Sequence, residues 1–192
     1  MKKSLLSVLL LLLFCVSASA GVKKTKLSAA DLQKRQAVMA SADHQIVPGS
    51  RIGPIRLGMG QDQVLEILGQ PDYDIPGNRA FYPRYQYISL NLCVSFSGGS
   101  TPTVIVIEAQ GWTNGHNKTL GDTYWKQIER VEMNWSTGTG VKLGSSSFDV
   151  KRAFSAYGFD DSRYSMLYKN LGISFTLTAD RMVDTISVST FD

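Results

Sequence analysis

The chain repeats itself, and that limits the folds open to it. IRLGMGQDQVLEIL at 55–68 returns as VKLGSSSFDVKRAF at 141–154, so that Ile55 meets Val141, Leu57-Gly58 meets Leu143-Gly144, Val64 meets Val150 and Leu68 meets Phe154. Val64, Ile67 and Leu68 follow the spacing of one helical stripe, as do Val150, Ala153, Phe154 and Tyr157. Ser146 with Asp149 has the form of a capping box, the serine hydroxyl accepting an orphan backbone N–H; Gly60 with Gln63 is the weaker version. GQP at 69–71 stops the first helix, and the second is predicted to run about a turn further, to Gly158.

The correspondence continues downstream at a smaller offset. LCVSF at 92–96 matches LGISF at 171–175, each alternating large apolar residues with small ones. Period-two alternation means strands with one covered face. SGGSTP and TADR are turns, and TVIVIEA and MVDTISV are closing strands. The predicted fold class is α+β: two tandem repeats, each one or two helices packed on a three- to four-stranded antiparallel sheet. LSAADLQKRQAVMASA, with Ser28 as its cap, reads as a helix ahead of the first copy. TLGDTYWKQIERVEMNW has helical spacing but a strand-like composition, so 119–135 stays open between helix and strand.

Residues 1–20 carry the marks of a bacterial export signal. Lys2 and Lys3 precede a short apolar run, and Ala18-Ser19-Ala20 fits a cleavage site after Ala20. The run is too short to span a bilayer comfortably. The expected organisation is then 21–48 tail and helix, 49–111 first repeat, 112–139 connecting segment and 140–192 second repeat, in a periplasmic or secreted chain with no membrane span after cleavage. Loss of Lys2 and Lys3 halves the formal charge of +4. KKTK at 23–26 therefore reads as a solvated tail, and no nucleic-acid footprint is expected.

IRLGMGQDQVLEILGQPD, followed by aromatic strands and an LxVxF strand, resembles the BamE (SmpA/OmlA) family of bacterial outer-membrane assembly lipoproteins. Two such units in one exported chain are similar to the β-lactamase inhibitory protein-like group. The resemblance covers roughly 53–109 and 140–188, and it implies a fold shared with those proteins.

Little in the chain points to chemistry. His44 and His116 lie in polar loops without clustered ligands, so no zinc site is expected. No nucleophile elbow, phosphate-binding loop or zinc-protease helix motif occurs. Once the signal with Cys15 is removed, Cys93 is unpartnered within the chain; it reads as a strand residue or as a thiol for pairing between chains. Asp72 and Asp74 in a Pro/Gly turn are turn residues or ligands for a hard cation; Asp160-Asp161 has the same status. No cofactor is expected.

Surface remains. If Leu92, Val94 and Phe96 face the helix, alternation puts Ile105 and Ile107 on the covered face and turns Val104 and Val106 outward. With Tyr85, Tyr87 and Trp112 nearby, the predicted partner-binding set is Tyr85, Tyr87, Val104, Val106 and Trp112, and the predicted partner is another exported or envelope protein. The function expected from this is non-catalytic binding, by an inhibitor or an envelope-assembly accessory. The alternative is a ligand-binding or hydrolytic protein working in a cleft between the repeats, with His116 and Asp122 as its polar pair.

Overall fold

The computed structural model describes residues 22–78, 81–110 and 133–190. In these, thirteen strands and three α-helices form an α+β fold. The helices are α1 (Ala29–Ala40), α2 (Gln61–Leu68) and α3 (Ser147–Ala153). The strands are β1 (Lys23–Lys24), β2 (Gln45–Val47), β3 (Arg51–Ile52), β4 (Ile55–Arg56), β5 (Tyr73–Ile75), β6 (Arg84–Tyr87), β7 (Leu92–Phe96) and β8 (Val104–Gln110). They continue with β9 (Ser136–Thr137), β10 (Asp160–Asp161), β11 (Ser165–Tyr168), β12 (Ile173–Leu177) and β13 (Val183–Ser189).

Nine strands make one sheet in the order β1-β5-β6-β7-β8-β13-β12-β11-β10, every neighbouring pair antiparallel. This is larger than the separate three- or four-stranded sheets expected from the sequence. The two closing strands, β8 and β13, lie side by side, with Ile107 opposite Val188 and Ala109 opposite Ile186. A small second sheet, β4-β3-β2-β9, sits beside it and contains one parallel pair, β2 with β9.

The helix starts follow the sequence signals. Ser146 Oγ accepts Asp149 N–H at 3.1 Å, and Ser28 Oγ accepts Asp31 N–H at 3.2 Å, each closed by the aspartate reaching back to the serine. Each such cap is worth about 1 kcal/mol. α3, however, ends at Ala153, a turn short of the expected stop, and Tyr157 is exposed. In α1 the buried stripe is Asp31, Arg35 and Val38, while the apolar Leu32 is exposed.

Hydrogen bonds around the two Leu-Gly turns coincide. Gly58 N–H donates to Val104 O and Val104 N–H to Met59 O; Gly144 N–H donates to Val183 O and Val183 N–H to Ser145 O, all four at 2.8 Å. Gly58 and Gly144 have φ of 83° and 80°, left-handed values that L side chains resist. These turns carry the chain from the small sheet into α2 and α3 and pin it to β8 and β13. Three-residue 3₁₀ turns, Ile88–Leu90 and Lys169–Leu171, then lead through left-handed Asn91 and Gly172 into β7 and β12. The strand in the place of LCVSF is therefore ISFTL, two residues later than the expected LGISF. A slip of two preserves the buried face, so alternation alone does not detect it.

One core gathers Val64 and Leu68 of α2, Val150 of α3 with Phe154 just beyond it, and the strand residues Tyr87, Leu92, Val94, Phe96, Ile107, Tyr168, Phe175 and Ile186. Trp135, fully buried, closes the side toward the small sheet, its Nε1–H donating to Leu90 O at 2.7 Å. Among the described residues no helix is long and apolar enough to cross a membrane.

Candidate functional site

The sheet has a helix side and an opposite side, called the open side because no helix among the described residues covers it, and the register assigns each residue. Tyr85 lies opposite Val94 and Tyr87 opposite Leu92, so both tyrosines belong to the helix side with the core. Tyr87 is fully buried, its hydroxyl donating to Gly69 O at 3.2 Å. Tyr85 is half-buried, edge-on to Phe96 with ring centroids 4.8 Å apart. Burial pushes both phenols above their usual range. The expected outward placement of these two tyrosines is corrected: they are packing residues.

Val104 is corrected for a different reason. The register shifts between Ser95 and Phe96, so that Ser95 faces Val106 but Phe96 faces Val104, leaving Ile105 as the extra residue. A bulge of this kind reverses the in-out order on one side of itself. Val104 consequently joins the core and Ile105, expected on the covered face, is only half-buried. The same shift falls between Thr176 and Leu177, with Asp184 as the extra residue. Val106, opposite Ser95, does lie on the open side and is half-buried. Trp112, His116 and Asp122 lie outside the described residues, as does all but the end of the 119–135 segment.

The open side changes character along the sheet. Over β5 to β7 it carries the half-buried Arg84 and the buried Tyr73, Ile75, Gln86 and Cys93, so this part of the face is not exposed. Cys93 is only 2% exposed although it faces away from the core cluster, and burial pushes its thiol well above the usual range, which removes it as a nucleophile. Toward β8, β13 and β12 the face becomes a strip of small polar groups. Ser187 lies between Glu108 and Ser174 in the register, and Thr185 between Gln110 and Thr176. Ser187 Oγ donates to Glu108 Oε1 at 3.2 Å, and Gln110 Nε2 to Glu108 Oε2 at 3.2 Å. Most of the strip is half-buried, and Thr176 is exposed.

No protein family, curated protein or solved structure matches the chain. The site must therefore be read from its own geometry.

The other sequence candidates are accounted for locally. Asp72 is engaged by a buried guanidinium: Arg35 Nη1 donates to its Oδ2 at 2.7 Å, and Ile88 N–H donates to the same oxygen at 2.7 Å. Arg35 also reaches Gln70 O and lies over the Tyr87 ring, 5.2 Å from its centroid. Asp31 completes the arrangement by accepting Gln70 N–H at 2.8 Å. Hydrogen bonds from Ser28, then from Gln70, hold the Asp31 carboxyl down to about 2. This network fastens α1 to the β5 end of the sheet, and the cation at Asp72 is the Arg35 guanidinium. Asp74 instead sits on β5 opposite Lys23 and Tyr85. His44 is no free loop histidine: its ring meets Trp135 edge-on at 5.4 Å and its Nε2 lies 3.3 Å from Val38 O. Among the described residues no group of three His, Cys, Asp or Glu side chains is placed to hold a metal ion.

The sequence reading missed the hydroxyl strip, although its signal was present in the alternating ISFTL and VDTISVS segments.

Proposed function

We propose that this chain is an exported, non-catalytic protein-binding module, built from two copies of one BamE (SmpA/OmlA)-like unit in the manner of the β-lactamase inhibitory protein-like group. Support for the duplication comes from the four matching turn hydrogen bonds, the matching bulges in β7/β8 and β12/β13, and the left-handed residues Asn91 and Gly172. Its partner is another exported or cell-envelope protein, and inhibition of an exported enzyme or service in envelope assembly are the two forms that binding takes.

The observation that carries the reading is the strip across β8, β13 and β12, on the side of the sheet away from α2 and α3, which no helix among the described residues covers. Val106, Gln110, Thr185, Ser187, Ser174 and Thr176 lie on one continuous sheet surface contributed by both halves of the chain. Short side chains on a rigid sheet lose little conformational freedom on docking, which favours recognition over catalysis. Both oxygens of Glu108, the carboxylate in the middle of the strip, are already engaged, one by the Ser187 hydroxyl and one by the Gln110 amide.

The test is capture of an exported partner by the purified protein, identified by crosslinking and mass spectrometry. Val106→Asp and Ser187→Arg are expected to abolish capture, while Leu32→Glu, on the exposed side of α1, leaves it unchanged. Equal capture by all three variants would refute the open-face site.

A further inference from the structure

The two ends of the nine-stranded sheet are built alike and finished differently. At one end β5 pairs with β6, with Tyr73 opposite Gln86 and Asp74 opposite Tyr85. At the other, β10 pairs with β11, with Asp160 opposite Leu167 and Asp161 opposite Met166. On the correspondence that sets Tyr87 on Tyr168, Gln86 matches Leu167 and Tyr85 matches Met166. Asp160 then holds the place of Tyr73, and Asp161 that of Asp74. β5 carries a further strand on its outer side: β1 sets Lys23 against Asp74 and Lys24 against Tyr73, and Thr25 N–H adds a bond to Asp72 O at 3.0 Å. Among the described residues nothing pairs with the outer side of β10, and both of its residues are exposed.

Short, charged edge strands ordinarily discourage strand addition. This molecule contains a counter-example in β5, which is only one residue longer, bears an aspartate at the matching position and is nonetheless covered. The strand that covers it is Lys-Lys. The first two residues of KKTK, expected as part of a solvated tail, form an edge strand, and their lysines show which chemistry this kind of edge accepts. At β10 the charge is complementary to the same chemistry. Asp161 is held on the molecule by Lys151 and Arg181, each at 2.8 Å, whereas Asp160 has no ion pair among the described residues. Arg181 also bonds the carbonyls of Ser162 and Arg163, so the edge is braced in its extended form before anything arrives.

We propose that the outer edge of β10 accepts an extended, lysine- or arginine-bearing strand from a partner protein, added antiparallel as β1 is added to β5, with a basic side chain beside Asp160. Main-chain bonds supply the attachment and the aspartate supplies the choice of charge. The edge is distinct from the open face, and the inference rests on the proposed correspondence of the two halves.

The probe is the blocked peptide VKKTKL, the sequence of the β1 arm, titrated into isotope-labelled protein and followed by amide chemical shifts. Saturable shifts centred on 159–163 are expected, weakening with added salt. Asp160→Lys is expected to weaken binding by about two- to five-fold, the scale of one exposed ion pair. Replacing each lysine of the peptide by glutamate is expected to remove the response, and Val106→Asp to leave it unchanged, which separates this edge from the open-face reading. No shift at millimolar peptide, shifts confined to 73–75, or an equal response to the glutamate peptide would each overturn the proposal.

Discussion

Gly172→Ala is expected to destabilise the protein by about 3 kcal/mol, and the cost can be divided by cause. Gly172 has a φ of 67°, and an L side chain in the left-handed region costs roughly 1–2 kcal/mol. A methyl there would also stand 2.5 Å from Gly49 Cα and 2.7 Å from Ser189 O, both backbone atoms that no rotamer change can move. Normal contact is about 3.5–4.0 Å, so the chain must part by about an ångström. That displacement weakens the two hydrogen bonds Gly172 O accepts, from Gly49 N–H and Ser189 N–H at 3.1 Å each, at about 1 kcal/mol apiece. Asn91, in the matching left-handed position, is the comparison: Asn91→Gly relieves backbone strain but frees the unfolded chain, and is expected within about 0.5 kcal/mol of neutral. Urea unfolding followed by circular dichroism measures both. A loss for Gly172→Ala no larger than about 1 kcal/mol would refute the reasoning, because backbone strain alone would then account for it and the crossing of the Gly49 turn over Gly172 would carry no weight.

Two further outcomes follow from the α1 network. Arg35→Met leaves the Asp72 carboxylate and the Gln70 carbonyl without their guanidinium, and a loss of about 3 kcal/mol is expected in the same unfolding assay; the double variant with Asp72→Asn recovers part of it. Asp31 is held at about 2 against 3.8 in its unperturbed state, so the folded protein prefers the carboxylate. Its contribution is complete above pH 4 or so and is lost as pH falls through about 2. Thermal melts between those values are expected to fall less steeply for Asp31→Asn than for the parent, and identical pH profiles would contradict the assignment.

Much of the local structure was legible because its causes are local. A capping box needs only Ser146 and Asp149, and a left-handed turn needs only the glycine at 58 or 144. Period-two alternation marks β7 and β12 regardless of their neighbours. The candidate site was less legible. Val104 and Ile105 exchange roles because of a one-residue bulge, and a bulge leaves no mark in an alternating apolar run such as TVIVIEA. Tyr85 and Tyr87 carried no sign of which face they take, since both faces of an aromatic strand read alike until its partner is known.

Taken alone, the sequence determined that the chain contains capped helices, a recurring Leu-Gly turn and alternating strands. Each of those depends on hydrogen bonds and packing within a few residues. Only the tertiary structure decided that β8 and β13 meet to make one sheet of nine strands, that Arg35 is buried against Asp72, and that Glu108 lies beside Ser187 on one face of the sheet. Those outcomes depend on pairings between residues 37 or more positions apart, where the free energy of burial and ladder formation outweighs local preference and leaves no periodic trace in the chain.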